Sequence, residues 1–379
     1  MRVIILVPGL PVNLDNIRGG VHSAVANLLR GFATLDVQVR VIAFTREVKE
    51  RIVSVYSPNI DIIYIPEGPF PYHSMNYLLR APRMLRNEIK SFKPDIIHYE
   101  EGNTFMFTRL WGLNNTRYLL TIHGMSFDEA KRKKKLKDKI TWYFNGLVQV
   151  YMTPGNIIHL SNFSKNRLAE NKILHNAIIP NAIVPAYFNV PLKTGTNNTL
   201  LYIGLIDNNK NLVFLLGALK KLADKGKIYT LEVLGDFSNE LYKDLILNFI
   251  QENELSGLVH FHGWVPQSTV LNYLAKTDIL VVSSKHESLP MVIAESMAAG
   301  KVVVASDVGG IPEMIQHSIN GFLFNLSEPD QLVHILEELY NNHETITSIS
   351  KKAKATAIER YQCENVARKT IEFYRQCLQ

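Results

Sequence analysis

The stretch SSKHESLPMVIAESMAAGKVVVASDVGGIPEMI, residues 283–315, decides the fold. It carries two carboxylates, Glu287 and Glu295, with Pro290 between them. Proline is tolerated in the first turn of a helix and breaks its interior, so a helix should begin near Pro290. Glu287 then belongs to the incoming loop, and Glu295 lies about one and a half turns into the helix, roughly 7–8 Å along it. Helical side chains lean toward the N-terminus, so Glu295 can reach toward the space that Glu287 borders. Ala298, Ala299 and Gly300 close the helix, residues 301–305 read as a buried strand, and Gly309-Gly310-Ile311-Pro312 reads as a second glycine turn. Loop, helix, strand and glycine turn in this order form a ligand site at the mouth of a parallel sheet.

Working outward, the second half alternates between strands at 199–203, 229–234, 258–262 and 278–282 and a helix at 211–223. In the first half, residues 2–7 are wholly apolar after Arg2, as expected of a strand covered on both faces. Further strands read at 37–44, 61–65, 95–99, 117–122, 156–160 and 177–180, with helical patterns between several of them. Such alternation argues for doubly wound α/β domains. At 379 residues the chain is too long for one core and suits two domains. Proline, glycine and polar residues at 183–198 read as the linker, which places a first domain at 1–182 and a second at 199–360.

With 46% apolar and 20% charged residues, the composition is that of a soluble globular protein and excludes disordered and fibrous classes. Cys363 and Cys377 show no metal or redox spacing, so a reducing compartment fits best. The apolar stretch before Pro8-Gly9 is too short for a signal peptide and reads as a strand. Residues 140–164 carry no charge, but Asn145, Gln149, Pro154, Gly155, Asn156 and His159 interrupt them, so they read as a loop-punctuated pair of buried elements.

Charge is unevenly placed. Residues 1–190 hold 24 Lys and Arg against 14 Asp and Glu, and residues 191–379 hold 17 against 21. Asymmetry of this kind points to one half facing an anionic partner. The densest block, Lys131–Lys139, is followed by Trp142, Tyr143 and Phe144. It reads either as a solvated helix face or as a contact with anionic lipid whose aromatics sit at headgroup level. No recognised nucleic-acid module accompanies it.

Three further positions draw attention. Gly19-Gly20 precedes a helix, which fits either a plain turn or close approach of a ligand to backbone amides. His123 ends the strand Tyr118–Ile122 and precedes Gly124, where a structural histidine and a ligand-binding one are both reasonable. Lys210 lies near a helix start and opposes its dipole, a misfit that an anion shared with the amides would explain. The chain holds no Asp-x-Asp, no Walker lysine motif, no Gly-x-Ser-x-Gly and no Gly-x-Gly-x-x-Gly loop after the first strand.

On these residues the sequence resembles the retaining glycosyltransferases of family four, which have the GT-B fold of two Rossmann-like doubly wound α/β domains facing a cleft. The resemblance runs from Gly19-Gly20 through Lys93-Pro-Asp-Ile-Ile-His98, Thr121-Ile-His-Gly124, Ile179-Pro-Asn181, Gly204 to Lys210 and Gly263-Trp-Val-Pro266 to the segment Glu287–Glu313. It implies a sugar-nucleotide donor held by the second domain. Glu295 would bind the ribose hydroxyls, and Glu287 with Ser288, Leu289, Pro290 and Met291 would meet the donor sugar. Lys210 would neutralise the diphosphate beside Gly204, and backbone around Trp264-Val265 would meet the base. His123 would reach the donor sugar from the first domain, and Gly20 would leave room for phosphates or acceptor. The family works without metal, and its last helix crosses back to the first domain, here 361–379. One departure stands out: the family's Gly-Arg-Leu is Gly204-Leu205-Ile206 here, so one of two phosphate cations is missing.

The expected activity is transfer of a sugar from a nucleotide donor to a glycan or lipid-linked acceptor in surface polysaccharide synthesis. The expected location is the cytoplasm, peripheral on the inner membrane face, with no cofactor. A sugar-nucleotide epimerase of GT-B-like fold and a non-catalytic nucleotide-sugar-binding subunit are the alternatives.

Overall fold

The computed structural model describes residues 1–14, 17, 19–66, 84–100, 117–124, 126, 127, 130, 136–151, 155–167, 174–191 and 198–379. The chain forms two compact units, Met1–Ala182 with Cys363–Gln379, and Ile183–Gln362. Both are α/β, as the alternation of apolar runs predicts.

The first unit carries strands β1 (Arg2–Pro8), β2 (Gln38–Thr45), β3 (Ile52–Ser57), β4 (Ile60–Pro66), β5 (Ile96–Tyr99), β6 (Arg117–Ile122), β7 (Asn156–His159) and β8 (His175–Ile178). They form one sheet in the order β3-β4-β2-β1-β5-β6-β7-β8. Only β3 runs antiparallel, at the edge beside β4. Alternation along β1 decides the layers. Val3, Ile5 and Val7 pack with Val25, Leu29 and Phe32 of the Gly20–Phe32 helix and with Val366, Ile371 and Tyr374 of the Cys363–Leu378 helix. Ile4 and Leu6 point the other way, onto Leu85 and Ile89.

Two expectations need adjustment here. Strand β8 lies two residues earlier than 177–180, because Pro180 has no N–H to offer the ladder, while His175 pairs with Asn156. The uncharged run 140–164 begins inside a helix, Leu136–Tyr151, that precedes β7. That helix is not buried along its length: Ile140, Tyr143 and Phe144 are exposed. The basic run Lys131–Lys139 is described only from Leu136 onward, and 131–135 lie outside the described residues.

The second unit carries β9 (Thr199–Ile203), β10 (Thr230–Leu234), β11 (Val259–Phe261), β12 (Ile279–Val282), β13 (Val302–Ser306) and β14 (Phe322–Phe324). The sheet order is β11-β10-β9-β12-β13-β14, parallel throughout. Its layers again follow alternation. Leu200 and Tyr202 face the Leu212–Asp224 and Pro329–Leu339 helices, whereas Leu201 and Leu280 face the Met291–Ala298 and His343–Tyr361 helices. The first part of the expected linker is packed structure: Pro185–Phe188 is a helical turn, and Ile183, Tyr187 and Val190 are buried against the second core. Residues 192–197 lie outside the described set.

Candidate active site

In the second unit the loops leaving β9, β10, β11, β12 and β13 carry the predicted residues at the C-terminal edge of the parallel sheet, where α/β folds bind ligands. The loop after β9 runs from Gly204 to Asn211. Asp207 accepts the Lys210 amide at 2.7 Å, and Asn211 takes a left-handed conformation, φ 57°, before the Leu212–Asp224 helix. Ser283, following β12, anchors the end of that loop by donating to the carbonyls of Lys210 and Asn211. Lys285 N–H donates to Asn209 O at 2.7 Å, and Asn209 returns a bond to His286 O. These ties hold Lys210 beside Glu287, with Nζ 2.5 Å from Oε1. The anion partner expected for Lys210 is, within the chain itself, the Glu287 carboxylate.

Glu287 is fixed by its backbone as well. Its carbonyl accepts the Gly310 amide at 3.0 Å. Gly309 has φ +59°, and a Cβ there would stand 1.8 Å from Glu287 O, so the Gly309-Gly310 turn requires its glycine. Ser288, Leu289 and Met291 are half-buried beside Glu287, and Pro290 is buried as the N-cap of Met291–Ala298.

Glu295 sits within that short helix and keeps part of its surface open. Burial pushes its carboxyl up to about 7, against the pull of a hydrogen bond from Tyr187. Tyr187, from the stretch that reads as linker, is itself buried. No spacing signal in the sequence joins it to Glu295. The segment around Gly263 and Trp264 is held by backbone too. Gly235 N–H donates to Gly263 O at 2.8 Å, and a Cβ on Gly235 would stand 1.9 Å from Gly204 O. Trp264 N–H donates to Asp236 at 2.9 Å, with Val265 half-buried next to it. The structure thus brings Gly204, Gly235 and Gly263 together, and Lys210 with Glu287. Leu205, where a second cation is missing, is exposed.

Gly20 and His123 belong to the first unit. Gly20 opens the Gly20–Phe32 helix behind Gly19, φ 104°. His123 follows β6, and its Nε2 stands 2.8 Å from Glu100 Oε2. Glu100 follows β5 and is almost wholly buried. Burial alone would raise its carboxyl, but the neighbouring His98, the hydrogen bond from His123 and that from Thr121 outweigh it and hold it below the ordinary range. A cavity of about 30 Å³ is lined by His98, Glu100, Thr121 and His123, and by Ala24 one turn into the Gly20 helix. Glu100 stands two residues past the Lys93–His98 segment and next to Glu101, and nothing in the sequence singles out one of the two glutamates, so sequence reading passes over it.

Comparison with known proteins covers most of the chain. The description "Glycosyltransferase Family 4" matches residues 18–187, and "Glycosyl transferases group 1" matches residues 184–356. An uncharacterized glycosyltransferase of Methanocaldococcus jannaschii is 26% identical over 340 residues, 89% of each chain. A lipopolysaccharide 1,2-N-acetylglucosaminetransferase of Salmonella typhimurium is 31% identical over 183 residues, 46% of this chain and 47% of its own. Among solved structures, Anabaena HepE in complex with UDP-glucose shares the fold with a TM-score of 0.70 at 16% identity, covering 99% of this chain and 100% of its own.

Proposed function

Because the chain belongs to glycosyltransferase family four, with the two-domain GT-B fold, we propose that it moves a sugar with retention from a nucleotide-sugar donor to a glycan or lipid-linked acceptor. The observation that carries this reading is the Lys210–Glu287 pair, held at the sheet edge with Glu295 in the helix that follows. A carboxylate at Glu295 chelates the ribose cis-diol. Lys210 exchanges its pairing with Glu287 for the donor diphosphate, whose charge grows as the bond from the anomeric carbon to phosphate oxygen breaks. The acceptor oxygen bonds to the same face of that carbon and its proton passes to the leaving phosphate, through a transition state of oxocarbenium character.

The complex of HepE with UDP-glucose supports a uridine diphosphate sugar as the first donor to test, and the Salmonella relative supports a surface glycan acceptor. Metal plays no part in the proposed step, since the chain carries no Asp-x-Asp to bridge a metal to the diphosphate. The enzyme is also proposed to work at an anionic membrane surface. In the Leu136–Tyr151 helix, Leu136, Ile140, Tyr143 and Phe144 recur at helical spacing and are 72%, 61%, 57% and 57% exposed. Lys137 and Lys139 flank this stripe, the pattern of a helix lying in a lipid interface. No helix among the described residues is long and apolar enough to cross a membrane.

The test is incubation with a panel of UDP-, GDP- and ADP-sugars and a lipid-extract acceptor, with EDTA throughout. Nucleoside diphosphate release coupled to a product whose anomeric configuration matches the donor's supports the reading. Activity that appears only when manganese replaces EDTA, or a product of inverted configuration, overturns the corresponding part of it.

A further inference from the structure

Behind His123 lies a chain of buried polar side chains that ends on the carboxylate of Glu100. Tyr374 O–H stands 2.6 Å from His98 Nδ1, and His98 Nε2 stands 2.6 Å from Thr121 Oγ1. Thr121 in turn bonds to Glu100, and Glu100 Oε2 is 2.8 Å from His123 Nε2. Burial pushes His98 down, which favours the neutral imidazole, with one bare acceptor nitrogen. Glu100, held ionised, accepts only. Thr121 therefore spends its single proton on Glu100 and must accept from His98 Nε2–H. His98 Nδ1 is left as the acceptor of the Tyr374 proton. Every hydrogen bond in the chain points toward Glu100, and the nitrogen of His123 that faces it must also carry a hydrogen.

We propose that Glu100 is a positioning residue, which holds His123 as the Nε2–H tautomer and so presents its Nδ1 lone pair to a hydroxyl group. His123 Nδ1 is buried and has no hydrogen-bond partner, and the ring lines the 30 Å³ cavity. A buried acceptor with no partner is costly unless a ligand completes it. An acceptor of this kind suits the hydroxyl of a neutral sugar and offers nothing to a phosphate oxygen, which also only accepts. The identity of that hydroxyl as the donor sugar's rests on the transfer reading above. The support reaches further than the strand ends. Tyr374 lies on the Cys363–Leu378 helix, is fully buried, and ties the last helix of the chain into the ring's orientation.

The tautomer is directly observable. Multiple-bond proton–nitrogen spectra of protein labelled with ¹⁵N in histidine should show His123 protonated at Nε2, assigned with His123→Gln. In Glu100→Gln the amide brings one acceptor oxygen and an NH₂ donor to a place that needs two acceptors, so a substantial share of His123 should convert to Nδ1–H. Turnover should fall roughly ten- to a hundredfold, the scale for an outer partner that orients a working ligand group. UDP binding, measured without sugar, should not change. Tyr374→Phe, which keeps the packing, frees His98 Nδ1 and should give a smaller fall in the same direction. An Nδ1–H signal in the wild-type protein overturns the proposal, and so does a folded Glu100→Gln protein with unaltered His123 signals. Expected spectra with no turnover on any donor would sink the transfer reading alone.

Discussion

Lys210 and Glu287, 77 residues apart in sequence, form an ion pair of 2.5 Å whose geometry is set by backbone on both sides. In the proposed transfer, with Leu205 in place of a second cation, Lys210 would balance most of the charge on a departing diphosphate. Lys210→Ala should therefore cut turnover by roughly a hundredfold or more, the cost of deleting one electrostatic stabiliser. Ground-state nucleotide affinity should change less, because the charge is largest in the transition state. Turnover near the wild-type rate would shift the role to Lys285, whose Nζ is held 2.7 Å from Asn208 on the same loop.

Glu295 gives a pH dependence whose direction is fixed. Its carboxyl, pushed up to about 7, is neutral below that point and a carboxylate above it. Chelation of two hydroxyls favours the carboxylate, so nucleotide affinity should rise between pH 6 and pH 8, by at most tenfold per unit for a single group. Tyr187→Phe removes the hydrogen bond that opposes the shift and should move the rise to higher pH. Glu295→Gln should flatten the profile and weaken binding by about 1.5–3 kcal/mol. Calorimetry of UDP across pH checks all three, and a flat wild-type profile would sink the ribose assignment.

The first unit should be acid-sensitive. His159 is wholly buried with both ring nitrogens unpartnered, and burial, helped by Lys165, lowers its pKa to about 4. Its folded value lies below the ordinary 6.5, so the unfolded chain binds the proton more readily. Stability from this residue is present above pH 6.5 and is lost as pH falls toward 4, by up to about 3 kcal/mol. His159→Leu should reduce that slope, measured by urea denaturation at several pH values. An unchanged slope would move the effect to other groups.

The exposed stripe on Leu136–Tyr151 predicts two separable effects on binding to anionic vesicles. Lys137→Gln with Lys139→Gln should weaken binding at low salt by about 1 kcal/mol for each charge, an effect that fades as salt rises. Ile140→Ser with Phe144→Ser should weaken it at every salt concentration, because apolar insertion is not screened. Wild-type protein that ignores such vesicles at low salt would leave the helix as an ordinary solvated surface.

What the sequence discloses here follows from how local the cause is. Strands such as Val3–Val7 and Val302–Ala305 declare themselves because both faces are buried and every residue is apolar. The Glu287–Glu295 arrangement is legible because Pro290 marks a helix start. Strand β3 lacks any buried face to imprint a pattern, being exposed or half-exposed along its length. The Leu136–Tyr151 helix hides because its stripe of apolar residues faces outward, where a core-seeking reading finds no reason for it. Tyr187, Glu100 and Tyr374 act through partners far along the chain, as with the 276 residues between His98 and Tyr374, and no local spacing encodes such a meeting.

The helix Cys363–Leu378 gives the protein an order of assembly. The second unit is one continuous piece of chain, Ile183–Gln362, and can close as it leaves the ribosome. The first unit begins synthesis earlier yet is incomplete until residues 363–378 emerge, since Val366, Ile371, Phe373 and Tyr374 belong to its core. Until then Val25, Leu29 and Phe32 lack a covering helix, and His98 lacks the hydroxyl that orients it. The half made first matures later than the second, and premature termination near residue 362 would spare the second unit while leaving the first an unfinished, aggregation-prone intermediate.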